Sequence, residues 1–186
     1  MKTRMILGVA TFLLIILVIP QSVLAQKTPF VPTTFNVPDT LQNEHFRIRM
    51  LSVNDVVKDY DAVMSSIAHL KEMYPTSSWP SKDLTFEQDL IDLGWHQKEF
   101  QMRSSFAYTV VSLDESQVLG CLYINPTTKG DYDASITMWV RASEVDNGLD
   151  AILYDAVKNW ISEDWPFKKV AYPGREINWE AWNSIK

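Results

Sequence analysis

Two hydrophobic periods divide the chain into strands and helices: alternation in some stretches, recurrence at three and four residues in others. His45–Ser52 sets Phe46, Ile48 and Met50 against Arg47, Arg49 and Leu51, predicting a first strand with one wet face. Ser52-x-x-Asp55 then offers a helix start. Val56, Tyr60, Val63, Met64, Ile67 and Leu70 carry helical spacing up to Tyr74, where Pro75 disfavours helical geometry in the residue before it. Thr76–Lys82 is a turn-rich loop holding Trp79-Pro80. A second helix opens at Thr85, with Gln88 completing a capping box, and turns Phe86, Leu90, Leu93, Gln97 and Phe100 inward as far as about Arg103. Gly94 in its middle costs ~1 kcal/mol relative to alanine, so it marks close packing or a kink.

Ser105–Ser112, Gln117–Asn125 and Asp133–Arg141 read as three strands joined by short turns, an antiparallel meander with Gly120 marking a bulge. The third strand feeds, through Ala142–Asn147, a helix whose inner face is Leu149, Ile152, Leu153, Ala156, Val157 and Trp160. Trp165-Pro166 ends that helix, and Lys168–Tyr172 forms a short last strand. A strand–helix–strand crossover returns the chain in the same direction, so this strand is expected to run parallel to the one before the helix. Ile177–Ile185 supplies two further turns of helix. The fold class is α/β (α+β): a mixed sheet in which an antiparallel meander leads into a C-terminal crossover.

The segment before Glu44 is of another kind. Lys2 and Arg4 precede an uncharged, largely apolar run of 15 residues, Met5 to Ile19, followed by Pro20 and by Val23-Leu24-Ala25. The run is shorter than the ~20 residues of a spanning helix. It has the form of a cleaved export signal, residues 1–25, with no stable membrane anchor after cleavage and a periplasmic or secreted domain as the outcome. Residues 26–43, with Pro29, Pro32 and Pro38 among Thr and Asn, are expected to form an extended tether, and residues 44–186 the domain. Without the leader, 15 basic and 23 acidic side chains remain, a net charge of −8. Such a surface offers no basic patch to nucleic acid, and the expected partner is a small molecule. Cys121 is the only cysteine and lies in an apolar strand, where a buried, inert thiol is expected.

Candidate chemistry gathers in two places. A helix following a strand through a short loop points unpaired N–H groups past the strand end, which suits an anion. Here Glu144, Asp146 and Asp150 put carboxylates at the same helix end, where they stabilise it and repel a second anion. The loop is therefore either an anion site or a self-capped helix. On the second predicted helix, Asp92, His96 and Glu99 share one stripe. They are either an oriented general base or a solvated face, with no fourth ligand to indicate a metal. Arg175-Glu176 is expected to form a surface pair.

The element order resembles the GNAT acetyltransferase fold, over nearly all of Phe46–Trp182. Three runs look more narrowly like a divergent group of bacterial GNAT-like domains: Gly94-Trp95-His96 with Glu99-Phe100; Ser105-Phe106-Ala107-Tyr108-Thr109-Val110; and Trp165-Pro166-Phe167 leading to Ala171-Tyr172-Pro173-Gly174-Arg175. The resemblance implies an N-acetyltransferase with acetyl-CoA as donor and a small amine or similar acceptor. It would place the cofactor on Trp139, Val140, Arg141, Asn147, Gly148 and Leu149, with pantetheine along the backbone of Met138 to Arg141. Tyr172 is the tyrosine nearest the expected thiolate, as proton donor, and His96 is the candidate base. The family's loop motif of Gln or Arg followed by paired small residues is here Arg141-Ala142-Ser143-Glu144-Val145-Asp146-Asn147-Gly148. The usual tyrosine on the last helix and the final strand pair are absent. The alternative function is a GNAT-shaped ligand-binding or interaction module without transfer chemistry.

Overall fold

The computed structural model describes residues 29–186, so the predicted leader lies outside the described residues. Six strands form one sheet in sequential order: β1 (Thr40–Gln42), β2 (Arg47–Met50), β3 (Phe106–Val111), β4 (Val118–Asn125), β5 (Ala134–Val140) and β6 (Val170–Ala171). Each neighbouring pair from β1 to β5 is antiparallel, and β6 runs parallel to β5 as the crossover requires. Helices α1 (Val56–Met64), α2 (Ile67–Met73) and α3 (Phe86–Gln101) contribute to the core on one face of the sheet. Helix α4 (Leu149–Asp164) covers the other, and α5 (Trp179–Ser184) closes the chain. The fold is α/β as expected: a mixed sheet with helices on both faces.

Two layers of side chains follow from the strand register. Tyr108, Leu122 and Met138 lie side by side under α4, while Thr109, Cys121 and Trp139 form the corresponding row under α1–α3. All six residues of β3 are buried, because both of its faces are covered. Between β3 and β4 the register slips: Val110 faces Gly120, whereas Val111 faces Val118. The extra residue is therefore Leu119, one before the glycine that the sequence marks. Gly120 serves close approach instead, since a Cβ there would sit 2.0 Å from the Trp139 carbonyl oxygen.

The structure corrects two expectations. The helix expected from Asp55 to Tyr74 is two helices, because Ser65 and Ser66 turn out of it to make tertiary bonds. Ser66 Oγ accepts from the Ala142 N–H at 2.9 Å, and Ser65 Oγ accepts from Arg141 Nη2 at 3.2 Å. Residues 29–43 are not a tether. Val31 is fully buried, Phe30, Phe35 and Val37 pack on the α4-side core, and Thr40–Gln42 pairs with β2 as the edge strand. Arg103 Nη2 donates to the carbonyls of Pro32 and Phe35, and Tyr108 Oη donates to that of Pro38 at 2.7 Å. Long-range side-chain donors thus satisfy the carbonyls of Pro32, Phe35 and Pro38.

Asp59 on α1 and Asp89 on α3 are both buried beneath these helices. Cys121 is buried as expected, and its thiol donates to Asp59 Oδ1 at 3.4 Å. Burial, with each carboxylate facing another, pushes Asp59 up to about 7 and Asp89 up to about 6. A carboxyl with a raised folded-state pKa binds a proton more tightly in the native state. Its contribution to stability is complete below about pH 4 and is lost as pH rises through 6 to 7. Asp55 and Glu115, held low mainly by Arg49 and Arg47, act in the opposite sense only in more acid solution. Thermal unfolding should therefore show stability falling by roughly 2–4 kcal/mol between pH 5 and pH 8. Asp59→Asn should flatten that slope and raise the melting temperature at pH 8; an unchanged slope would remove the buried acids as its cause.

Candidate functional site

Strands β5 and β6 share only two rungs, Ala134 with Val170 and Ser135 with Ala171. Asp133 secures the entrance to this pairing: its carboxylate accepts from the N–H groups of Lys168 and Lys169 at 2.7 and 2.9 Å. Beyond Ser135 the strands part. A cleft of about 150 Å³ lies at that parting, lined by Met138, Asp150, Arg175, Trp179 and Tyr74. Arg175 crosses it, giving Asp150 two hydrogen bonds of 2.6 and 2.9 Å and reaching the Met138 carbonyl at 3.4 Å. The turn that aims Arg175 is tight, with the Tyr172 carbonyl accepting from the N–H groups of Arg175, Glu176 and Ile177. Gly174 in this turn has φ +79°, and a Cβ there would meet the Trp179 indole nitrogen at 2.7 Å. That indole in turn donates to the Met73 carbonyl at 2.8 Å.

Above the cleft stands the N-terminus of α4, capped by Gly148 at φ +74° with no side-chain cap and open space where a Cβ would be. Free N–H groups at a helix start favour an anion. The anion now present is the Asp150 carboxylate, held by Arg175.

A second, larger cavity of about 320 Å³ opens on the α2–α3 side of the sheet. Tyr74, Ser77, Trp79, Asp92, His96, Tyr123 and Thr137 line it. Tyr123 and Thr137 are cross-strand partners on β4 and β5, while Asp92 and His96 come from α3. The His96 ring stacks at 5.1 Å from Tyr123, between Asp92 at 3.8 Å and Glu99 at 3.9 Å. Both carboxylates lie outside hydrogen-bonding range of the imidazole, and Glu99 accepts instead from Ser105 Oγ at 2.8 Å. Tyr74 lines both cavities and forms the wall between them. Its hydroxyl oxygen is buried without a hydrogen-bond partner, and burial pushes its pKa upward, so it stays protonated.

The predicted site residues divide between the two faces of the sheet. His96 lines the larger cavity as a candidate base. Tyr172 does not join it: the ring lies on the α4 side, 4 % exposed and edge-on to Tyr154 at 5.6 Å. Trp139 buries its indole under α1–α3, and Val140 and Leu149 belong to the α4-side core. Arg141 turns away from the helix N-terminus to bond Asp61 at 3.0 Å and Ser65 at 3.2 Å. Asn147 donates to Glu144 and Ser143 within its own loop, which leaves Gly148 at the helix end. Arg175 and Glu176 do not pair with each other. Arg175 takes Asp150, and Glu176 takes Lys158 and Tyr154. The sequence reading omits Tyr74, whose one local signal is the following proline, and the Arg175–Asp150 pair, whose members are 25 residues apart.

No family model matches the sequence, and no curated protein matches it. Solved structures do match in fold. The ribosomal-protein-S5-alanine acetyltransferase of Vibrio fischeri is 17 % identical over 67 % of each chain, with a TM-score of 0.54. The ribosomal L7/L12 alpha-N-protein acetyltransferase RimL, in complex with coenzyme A, is 15 % identical over 72 % of this chain and 73 % of its own, with a TM-score of 0.59. The microcin C7 self-immunity acetyltransferase MccE, in complex with acetyl-CoA and AMP, is 11 % identical over 73 % of each chain, with a TM-score of 0.57.

The turn at Gly174 offers a direct check of the cleft's geometry. Gly174→Ala combines a positive φ with overlap on Trp179, so it should cost about 1–3 kcal/mol of unfolding free energy. It should also alter the near-ultraviolet circular dichroism as the Trp179 indole leaves Met73. A melting temperature within one degree of the parent would mean that the turn is not held as described.

Proposed function

We propose that the domain is an acyltransferase of the GNAT type, with an acyl-CoA donor in the β5–β6 cleft and a small amine in the aromatic cavity. The observation carrying this reading is that one tyrosine, its hydroxyl buried and unpartnered, lines both a cleft at a parted strand pair beneath an open helix N-terminus and a cavity holding an imidazole. The donor set suits a diphosphate in kind: the first N–H groups of α4 and the Arg175 guanidinium, which now grips a carboxylate as it would a phosphate. The Met138 and Val140 backbone would hold the pantetheine amides. Bound there, acyl-CoA supplies an activated thioester. His96 takes the proton that the acceptor amine loses, and Tyr74 Oη offers its proton where the leaving sulfur would emerge. Tyr74 thus replaces Tyr172 as proton donor.

A second reading has its own support. Arg175 already occupies the Met138 carbonyl, and Asp150 already supplies the anion at the helix end. Both suit a binding module whose donor cleft is filled by its own residues. The predicted leader agrees with this reading, since acyl-CoA is a cytoplasmic metabolite and the mature domain would lie in the periplasm or medium. Amino-terminal sequencing of the protein from fractionated cells tests the leader, with Gln26 expected as the first residue of an exported form.

Calorimetric titration of coenzyme A into the chain from Gln26 onward decides between the two. The acyltransferase reading expects binding in the micromolar to low-millimolar range. Asp150→Asn, which frees Arg175, should tighten it by about three- to tenfold, and Arg175→Ala should weaken it by a similar factor. Tyr74→Phe should leave this binding in place and lower the release of thiol from acetyl-CoA by about 100-fold. No heat at millimolar coenzyme A, with Asp150→Asn equally silent, leaves the binding module standing.

A further inference from the structure

We propose that the aromatic cavity is a receptor site for a small organic ammonium ion, whichever reading of the donor cleft holds. Its walls supply what such a cation needs. The rings of Tyr74, Trp79 and Tyr123 line it, with Tyr74 and Trp79 edge-on to each other at 6.3 Å. A ring face attracts a cation through its quadrupole, most strongly where water is excluded. The Asp92 carboxylate stands at the mouth, and the oxygens of Tyr74, Thr137 and Ser77 offer hydrogen bonds within.

The charge balance around the cavity excludes the opposite ligand. No lysine or arginine lines it. Lys71 on the rim is spent on the carbonyls of Ser77 and Ser78, and Arg175 behind Tyr74 is spent on Asp150. The carboxylates of Asp92 and Glu99 flank His96, and Asp59 lies buried near Tyr123. An anionic guest would meet carboxylates without a lysine or arginine counter-ion, while a neutral guest would gain from them a hydrogen bond but no charge attraction. The volume of about 320 Å³ is at the lower end of small-molecule sites, so the guest is an ammonium group on a compact apolar body. The buried Tyr74 hydroxyl is the second sign of a guest, because it lacks the partner that buried polar groups normally have.

Three probes of matched shape and different charge test this by calorimetry at pH 8: phenethylammonium, phenethyl alcohol and hydrocinnamate, each added to the protein without coenzyme A. Phenethylammonium should bind at least about tenfold more tightly than either of the others. Asp92→Asn and Trp79→Ala should each weaken it by about tenfold, and Trp79→Phe, which keeps a ring for packing, by less. Trp95→Ala, on the exposed side of α3, should leave it unchanged. The proposal is overturned if the alcohol or the carboxylate binds as well as the ammonium. Indifference to Asp92→Asn overturns it too, as does the absence of heat from any probe at ten-millimolar concentration. Because coenzyme A takes no part, a silent donor cleft and a silent cavity are separate results.

Discussion

The ion pair between Arg175 and Asp150 bridges a break that the sheet cannot mend. β5 and β6 stay together for two rungs only, so from Ile136 onward one edge of β5 has no strand partner. A part-buried edge of that kind must be satisfied, and the chain satisfies it with a side chain rather than a strand. The guanidinium has donors to spare: two go to Asp150 and one nitrogen also reaches Met138. Arg175 is 17 % exposed and Asp150 33 %, so removing either partner would leave a poorly solvated charge rather than merely delete a weak surface contact. The C-terminal segment takes one of its anchors here, beside those of Trp179 on the Met73 carbonyl and Lys129 on the carbonyls of Trp182 and Ile185. Its own secondary structure is a two-residue strand and a six-residue helix, too little to hold position alone.

The same break separates the two cavities and sets Tyr74 between them. Tyr74 is placed by the end of α2, where Pro75 stops the helix, and its ring is wedged between Trp79 at 6.3 Å and Trp179 at 5.8 Å. Trp179 is fixed by the turn that aims Arg175. One short loop, Pro173–Ile177, therefore controls both the cation in the cleft and the tyrosine wall beside the larger cavity.

How much of this a sequence can disclose depends on the range of the interaction. Alternation within β2–β5 and helical spacing within α3 and α4 are local, and they place those elements correctly. The Ser65-Ser66 break is not local, because it exists for Arg141 and Ala142, nearly eighty residues away. Nor is the packing of residues 29–43, where Pro- and Thr-rich composition hides four apolar anchors at irregular spacing. The site fared similarly. His96 and Asp92 announce themselves by helical spacing, whereas Tyr74 looks like a helix end until Trp179 and β5 are brought beside it. Tyr172 lies one residue beyond the last strand rather than within it, and its ring packs on the α4 face, opposite His96.

A fold shared with acetyltransferases does not by itself carry their chemistry. In this domain the guanidinium beside the helix end is already engaged. A diphosphate entering the cleft would have to displace a carboxylate bound in two-point geometry, and Asp150, fixed in the first turn of α4, would then stand beside it with like charge. The pair that stabilises the cleft would therefore compete with any such anion. The aromatic cavity carries no such conflict: its carboxylate is at the mouth, its rings are apolar, and its one buried polar orphan makes no internal bond. On these grounds the cavity is freer to take a ligand than the cleft, where a ligand would compete with the Arg175–Asp150 pair.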